Sequence, residues 1–170
     1  MVARVVIGDG GGPVTTVEID LVIEASPEAV WEVISDPRNL PHWDRHISRV
    51  EGVPADGLRL GTRYMTEMRF MAFRTHVAGE VLEWDPPQLS VIRLKGLLDA
   101  TVTSVVEELS GGRSLLEHTI DYRFRGGPLG ELAARSLARM GGADLALRHG
   151  SLAQKREIEE RFRRAGGSSG

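Results

Sequence analysis

The stretch EASPEAVWEVISDPRNLPHWDRHI at residues 24–47 contains the signals that decide the fold. Ser26 is a good N-cap and Pro27 is suited to the first helical position, so a helix is predicted to begin here. Apolar residues recur inside it at helical spacing. The Asp-Pro pair at 36–37 ends this helix and begins a second short helical turn through Leu40. We therefore predict two short helices in succession.

On the N-terminal side, residues 17–24 (VEIDLVIE) alternate in polarity and predict the first β-strand. Residues 1–16 are predicted to be a flexible N-terminal segment. They contain GDGGGP at 8–13, which is glycine-rich enough to suggest a nucleotide-binding loop. Such a loop needs a helix directly after its glycines, whereas a β-prone run follows here. We therefore predict a turn, and no cofactor.

On the C-terminal side, short β-prone runs alternate with turn residues, which is typical of an antiparallel meander. The predicted strands cover residues 46–53, 61–70, 73–84, 88–95, 99–109 and 114–125. A Gly-Gly-Pro sequence at 126–128 then ends the sheet, and residues 129–164 are predicted to form a long helix. Seven residues are predicted at helical spacing to lie close to one stripe of this helix, namely Leu132, Ser136, Met140, Leu147, Ser151, Ile158 and Phe162. A kink or break is predicted at Gly141-Gly142, and residues 165–170 are predicted to be a disordered tail.

Composition limits the classes of function. The 170 residues fit one domain. A net charge of -3 argues against nucleic acid as a partner, and the lack of cysteine excludes disulfides and thiolate chemistry. No apolar run of about 18 residues or more is present, so we expect no integral membrane association. The N-terminus lacks the pattern of a signal peptide, and we expect a cytoplasmic protein.

The order of these elements, and three phrases within them, resemble a known superfamily. The phrases are residues 24–47, GEVLEWDPPQLSVIR at 79–93 and GGRSLLEHTIDYRFRGGPLG at 111–130. They resemble the START-like superfamily, also called SRPBCC, and within it the polyketide cyclase/dehydrase and lipid transport group. The resemblance extends over nearly all of residues 17–162. It implies an α+β helix-grip fold for residues 17–164, with a curved antiparallel sheet of about seven strands, two short helices and a long C-terminal helix over a cavity.

A bent sheet and a helix laid across it leave a cavity that suits apolar guests. The first hypothesis is therefore a module that binds a hydrophobic small molecule, either a lipid or a polyketide-like compound. The resemblance also allows a polyketide cyclase, aromatase or dehydratase that uses acid/base residues in the cavity. A third alternative is an interaction module whose cavity is vestigial. A homodimer is compatible with the sequence, which leaves the ligand and the oligomeric state open.

The strand at 114–125 has the clearest alternation of polarity. Leu116, His118, Ile120 and Tyr122 share one face, which we predict to point into the cavity. His118 and Tyr122 place two polar groups on this apolar surface. They are predicted either to orient a ligand or to be satisfied by neighbouring strands or buried water. The two are also, with His46, the candidates for acid/base catalysis.

Further ligand contacts are predicted from the strand at 61–70 and from the helices. On that strand Tyr64, Met68 and Phe70 share the predicted inward face, while Trp43 is interpreted mainly as an anchor for the second short helix. The residues predicted to contact the ligand are Trp43, Tyr64, Met68, Phe70, Leu116, His118, Ile120, Tyr122 and Met140.

Three other features bear on possible sites. His42, Asp44 and His46 are close in sequence, but a structural zinc site needs four ligands and no HExxH helix is present, so no metal is predicted. Arg93 would bind a carboxylate or enolate if it pointed inward, and parity does not decide its direction. Ser104 lies in no G-x-S-x-G sequence, which argues against hydrolase chemistry.

Overall fold

A computed structural model describes residues 3–6, 14–70, 73–96, 98–124 and 142–167. Eight β-strands and three α-helices lie in these ranges, with a 3₁₀ turn at Pro37–Asn39. The strands are β1 (Ala3–Val6), β2 (Val14–Ile23), β3 (Ile47–Glu51), β4 (Arg63–Phe70), β5 (Phe73–Asp85), β6 (Leu89–Lys95), β7 (Leu98–Leu109) and β8 (Arg113–Phe124). The helices are α1 (Pro27–Ile34), α2 (Leu40–Trp43) and α3 (Gly142–Gly167).

The strands form one antiparallel sheet in the order β1-β2-β8-β7-β6-β5-β4-β3. From β3 to β8 each strand pairs with the next one in the chain, as a meander requires, and β8 then pairs with β2. Strands β2 to β8 are the seven that the sequence predicts. The α+β architecture, with two short helices after the first of these strands, is as expected.

The N-terminal boundary differs from the prediction. β2 begins at Val14 rather than at residue 17, and Ala3–Val6 adds an edge strand whose register runs from Ala3 opposite Val17 to Val6 opposite Val14. Residues 3–6 are therefore part of the sheet and not of a flexible segment. Their ARVV sequence is short but β-prone, and pairing satisfies the backbone groups of an otherwise exposed β2 edge. The glycine-rich stretch at 8–13 lies outside the described residues.

Helix α1 starts as its sequence predicts. Ser26 Oγ accepts a hydrogen bond from the backbone N–H of Ala29 at 3.4 Å, which satisfies a donor of the first turn. Its buried side chains join the main core, which β2, β7 and β8 share with α3. The buried residues of this core are Val17, Ile19, Leu21, Ile23, Ala25, Val30, Trp31, Val33, Val106, Leu116, Ile120 and Ile158.

The C-terminal helix extends beyond its predicted C-terminal end. It continues through Gly167, so residues 165–167 are helical and not a tail. Residues 125–141 and 168–170 lie outside the described residues, and with them Leu132, Ser136, Met140 and the kink predicted at Gly141-Gly142. Ser151 and Ile158 are buried as expected, but Phe162 is 42% exposed, so its place in the buried stripe is wrong. About one turn beyond Ile158, Arg161 donates hydrogen bonds to Asn39 of the 3₁₀ turn and to His42 of α2. Arg161 thus takes the position that faces these elements, and the next residue, Phe162, points toward solvent.

Candidate functional site

The sheet has a buried inner face, against which α1 and α3 pack, and an outer face. On β8 the inner face contains Leu116, His118 and Ile120, all buried, and the half-buried Tyr122. Alternation therefore placed these side chains on the correct side. The pairing register sets His118 between Ser104 of β7 and Ile19 of β2. Since directly opposite residues share a face, Ser104 also belongs to the inner face.

His118 lies in a chain of three buried polar side chains. Its Nδ1 is 2.9 Å from Ser104 Oγ, and its Nε2 is 3.0 Å from Gln154 Oε1 on α3. The exposed fractions are 6% for Ser104 and 8% for each of the other two residues. The carbonyl oxygen of Gln154 can only accept, so Nε2 has the hydrogen and Nδ1 accepts from the Ser104 hydroxyl. We call this arrangement the Ser104–His118–Gln154 chain.

The environment of His118 favours its neutral form. Burial lowers the pKa of His118, and the hydrogen bond to Gln154 opposes this effect only in part. The ring is therefore a neutral imidazole at pH 7, with both nitrogens bonded to protein groups. In this geometry it links the centre of the sheet to the C-terminal helix.

Tyr122 lies on the same face as His118, one inner-face position beyond Ile120. Its ring packs edge-on against Phe124, with centroids 5.9 Å apart and planes at 87°, and it also contacts the main core. Since Tyr122 is only half-buried, it lies nearer than His118 to the margin of this core.

Tyr64 is part of a second apolar cluster and not of the main core. It packs with Leu58 and Val81, and its burial raises the pKa of its hydroxyl to about 12. Opposite it lies Gly79, where a Cβ atom would fall 2.3 Å from Cζ of the tyrosine ring. Met68 is half-buried on the same face. The side chain of Phe70 and all of Met140 lie outside the described residues.

The residues around α2 have structural roles. Trp43 is half-buried against the main core. His42 Nδ1 accepts from Nη2 of Arg161 at 3.1 Å, and Asp44 Oδ1 accepts from the backbone N–H of His46 at 2.9 Å. In the part of the chain that the structure describes, no three His, Asp or Glu side chains are grouped to hold a metal ion.

His46 is separated from the other two catalytic candidates. It directly precedes β3, at one edge of the sheet, and β4, β5, β6 and β7 lie between β3 and β8. The sheet therefore brings His118 and Tyr122 to one face but does not place His46 beside them.

Arg93 points to the outer face. Ile92 and Leu94 take the inner positions, opposite Val81 and Gly79, while Arg93 lies opposite Glu80 and donates to its carboxylate at 2.5 Å. The inward alternative for Arg93 is therefore wrong.

Two members of the buried chain were missed in the sequence. Ser104 lies in no nucleophile motif, but it alternates with Val102 and Val106 on an apolar face, and that alternation is the signal for an inward-facing serine. Gln154 falls between Ser151 and Ile158 at helical spacing, and that spacing was the signal that could have identified it.

An antiparallel sheet with two short helices after an early strand, and with a long C-terminal helix on its inner face, defines a START-like domain of the helix-grip class. Residues 14–157 match the model of the family described as polyketide cyclase / dehydrase and lipid transport. The chain therefore belongs to this family. In the described residues, no helix is both long and apolar enough to span a membrane.

Solved structures agree on the fold. The Zhui aromatase/cyclase from Streptomyces sp. R1128 is similar with a TM-score of 0.74 and 18% identity, over 90% of this chain and 98% of that one. A START superfamily protein from Mycobacterium smegmatis has a TM-score of 0.65 and 15% identity, over 85% and 97%. The ginseng major latex-like protein 151 from Panax ginseng has a TM-score of 0.62 and 12% identity, over 88% and 97%. At these identities the likeness shows the helix-grip fold alone, as the sequence predicts. No curated protein matches the sequence.

Proposed function

We propose that this protein binds a hydrophobic small molecule, a lipid or a polyketide-like compound, between the inner face of the sheet and the C-terminal helix. Family membership supports this general class of ligand or a cyclase activity. The inner face supports it chemically, because it is apolar along β2, β7 and β8 with a few polar groups at fixed positions. Apolar burial would supply most of the affinity, at roughly 25 cal/mol per Å².

The engagement of His118 is the observation that favours binding over catalysis. A general acid or base must reach the substrate directly or through one water. Both nitrogens of His118 are bonded inside the Ser104–His118–Gln154 chain, so the ring reaches a ligand only when one of these bonds opens. We infer that His118 mainly fixes the helix on the sheet, and that Tyr122, which lies on the same face and is less buried, is the better candidate for a contact to the ligand.

The first experiment identifies the ligand. Native mass spectrometry of the purified protein should show a co-purified apolar compound, which is then titrated into the wild type and into Tyr122→Phe. Loss of one polar contact should weaken binding by about 0.5 to 1.5 kcal/mol, which is roughly two- to twelvefold. Thr119→Ala, on the outer face of the same strand, is the control and should bind as the wild type does. A protein that binds no apolar compound would contradict the proposal and favour the vestigial interaction module.

A second candidate function is a polyketide cyclase, aromatase or dehydratase. The contact that favours it is the Ser104 hydroxyl on the unprotonated Nδ1 of His118, a base that becomes available if the serine rotates away. In that case His118→Gln or Tyr122→Phe should lower turnover by about 10² to 10⁴ with little change in affinity. Conversion of a polyketide-like compound, followed by mass spectrometry, separates the two functions. Undiminished conversion in the double variant would exclude these residues as catalytic.

A further inference from the structure

A row of charged side chains crosses three strands of the outer face. Arg63, Glu80 and Arg93 lie directly opposite one another on β4, β5 and β6. Oε1 of Glu80 accepts from Nη2 of Arg63 at 2.8 Å, and Oε2 accepts from Nη2 of Arg93 at 2.5 Å. One carboxylate therefore serves two guanidinium groups.

The charge of this row does not balance. Hydrogen bonds from Arg93 and then from Arg63 lower the pKa of Glu80 to about 2, so its carboxylate is ionised at neutral pH. Two positive charges face one negative charge. In addition, Nε of Arg93 is buried and has no hydrogen-bond partner, although the side chain as a whole is 40% exposed. A buried donor without an acceptor is rare and calls for an explanation.

An open groove of about 660 Å³ lies along this row. The exposed Met65 and the small Ala78 line it on the outer face, and Lys95 borders it on β6. Among the described residues, Lys95 has no ion pair. Glu51, the second acid of the groove, is paired with Arg49 at 2.7 Å. The groove thus combines an apolar surface with an excess of cations, in a chain whose net charge is -3.

We propose that this outer groove binds an amphipathic anion, whose carboxylate or phosphate group is held by Arg93 and Lys95 while its apolar part covers Met65 and Ala78. The volume is in the range of small-molecule sites. A second anionic group would balance the charge of the row and offer an acceptor to Arg93 Nε after a rotation of the side chain. This inference does not depend on the function proposed for the inner face.

The test uses the whole ¹⁵N-labelled protein and three probes with the same alkyl chain, namely octanoate, octyl phosphate and octanol. Either anion should shift the backbone amides of Ala78, Gly79 and Lys95 to saturation, whereas octanol should leave them unchanged. The relative affinities of the two anions then identify the head group. Binding should weaken as salt is added, since the groove is open to solvent.

Substitutions in the groove test whether its charged side chains bind the anion. Arg93→Gln should weaken anion binding about tenfold or more. Glu80→Gln should strengthen it several-fold, because a competing carboxylate is removed. Arg113→Gln, which removes a charge at the far β7–β8 turn, is the matched control and should have no effect. If Arg93→Gln does not fold, Lys95→Gln on the exposed surface provides the same test.

Three results would overturn the proposal. The first is a set of shifts confined to inner-face residues such as Val17 and Leu116, which would mean that the alkyl anions enter only the interior. The second is equal binding of octanol at the groove. The third is an affinity that neither Arg93→Gln nor Lys95→Gln reduces. The first result would instead support the binding proposed for the inner face, and the other two results do not bear on that proposal.

Discussion

Replacing Gln154 by methionine removes the acceptor of His118 Nε2 while nearly preserving the volume of the side chain. The donor and acceptor are 3.0 Å apart and both residues are buried, so the N–H would be left without a partner. An unsatisfied buried donor costs about 1 to 3 kcal/mol. We expect Gln154→Met to lower the free energy of unfolding by this amount, with little contribution from a cavity.

A double variant tests whether the loss comes from the unpaired polar group. His118→Leu combined with Gln154→Met removes both partners and should cost less than the sum of the two single changes, by about 1 kcal/mol or more. Adding Ser104→Ala removes the remaining hydroxyl and should recover further stability. The chain also offers a matched control, since Gln88→Met makes the same substitution at an exposed turn position and should change stability by less than about 0.5 kcal/mol.

Urea denaturation followed by tryptophan fluorescence measures these differences. Trp31 and Trp84 lie with ring centroids 5.0 Å apart, so their emission should report loss of the core. Two outcomes would refute the reasoning. One is a Gln154→Met variant as stable as Gln88→Met, and the other is strict additivity of the His118 and Gln154 substitutions.

Three further predictions concern stability. Burial lowers the pKa of His118 in the folded protein, so below about pH 6.5 the unfolded state binds more protons than the folded state. The free energy of unfolding should therefore decrease as the pH is lowered, by at most about 1.4 kcal/mol per pH unit. Unfolding curves of His118→Leu measured at several pH values should lack this part of the pH dependence. Gly79→Ala should cost about 1 to 3 kcal/mol, because the new methyl group meets the Tyr64 ring, and a Tyr64→Leu background should recover much of the loss in a thermal melt. Ser114→Ala should cost about 1 kcal/mol in urea, since the fully buried Oγ donates to the backbone oxygen of Ala25 at 2.7 Å, and an unchanged midpoint would contradict this.

The inner face of β8 was predictable because its sheet has one buried side, which produces a strict alternation of polarity. The partner of His118 was less evident, although the information was present. The turn at 110–112 contains Gly111 and Gly112, both with positive φ, and sets Leu109 opposite Arg113. Counting back from this pair places Ser104 opposite His118. The register of a hairpin thus identifies buried polar pairs that a single strand does not show.

Arg93 shows why other orientations were not predictable. Its strand has apolar residues on both faces, with Val91 on one face and Ile92 and Leu94 on the other. The alternation of polarity therefore does not show which face contains Arg93. The irregular pairing between Val81 and Glu83 also breaks simple counting along β5. Only the pairing of Arg93 with Glu80 decides its face, and that contact depends on three-dimensional register.

The two faces of the sheet can therefore be tested independently. Successive residues of a strand point to opposite faces, so His118 and Thr119, or Arg93 and Leu94, are neighbours in sequence that contact different environments. A substitution in the outer row changes charge in a solvent-open groove and leaves the apolar core of the inner face intact. A substitution in the Ser104–His118–Gln154 chain changes the attachment of α3 without altering the outer charges. If one compound affects both faces, the two sets of variants will show which site has the higher affinity for it.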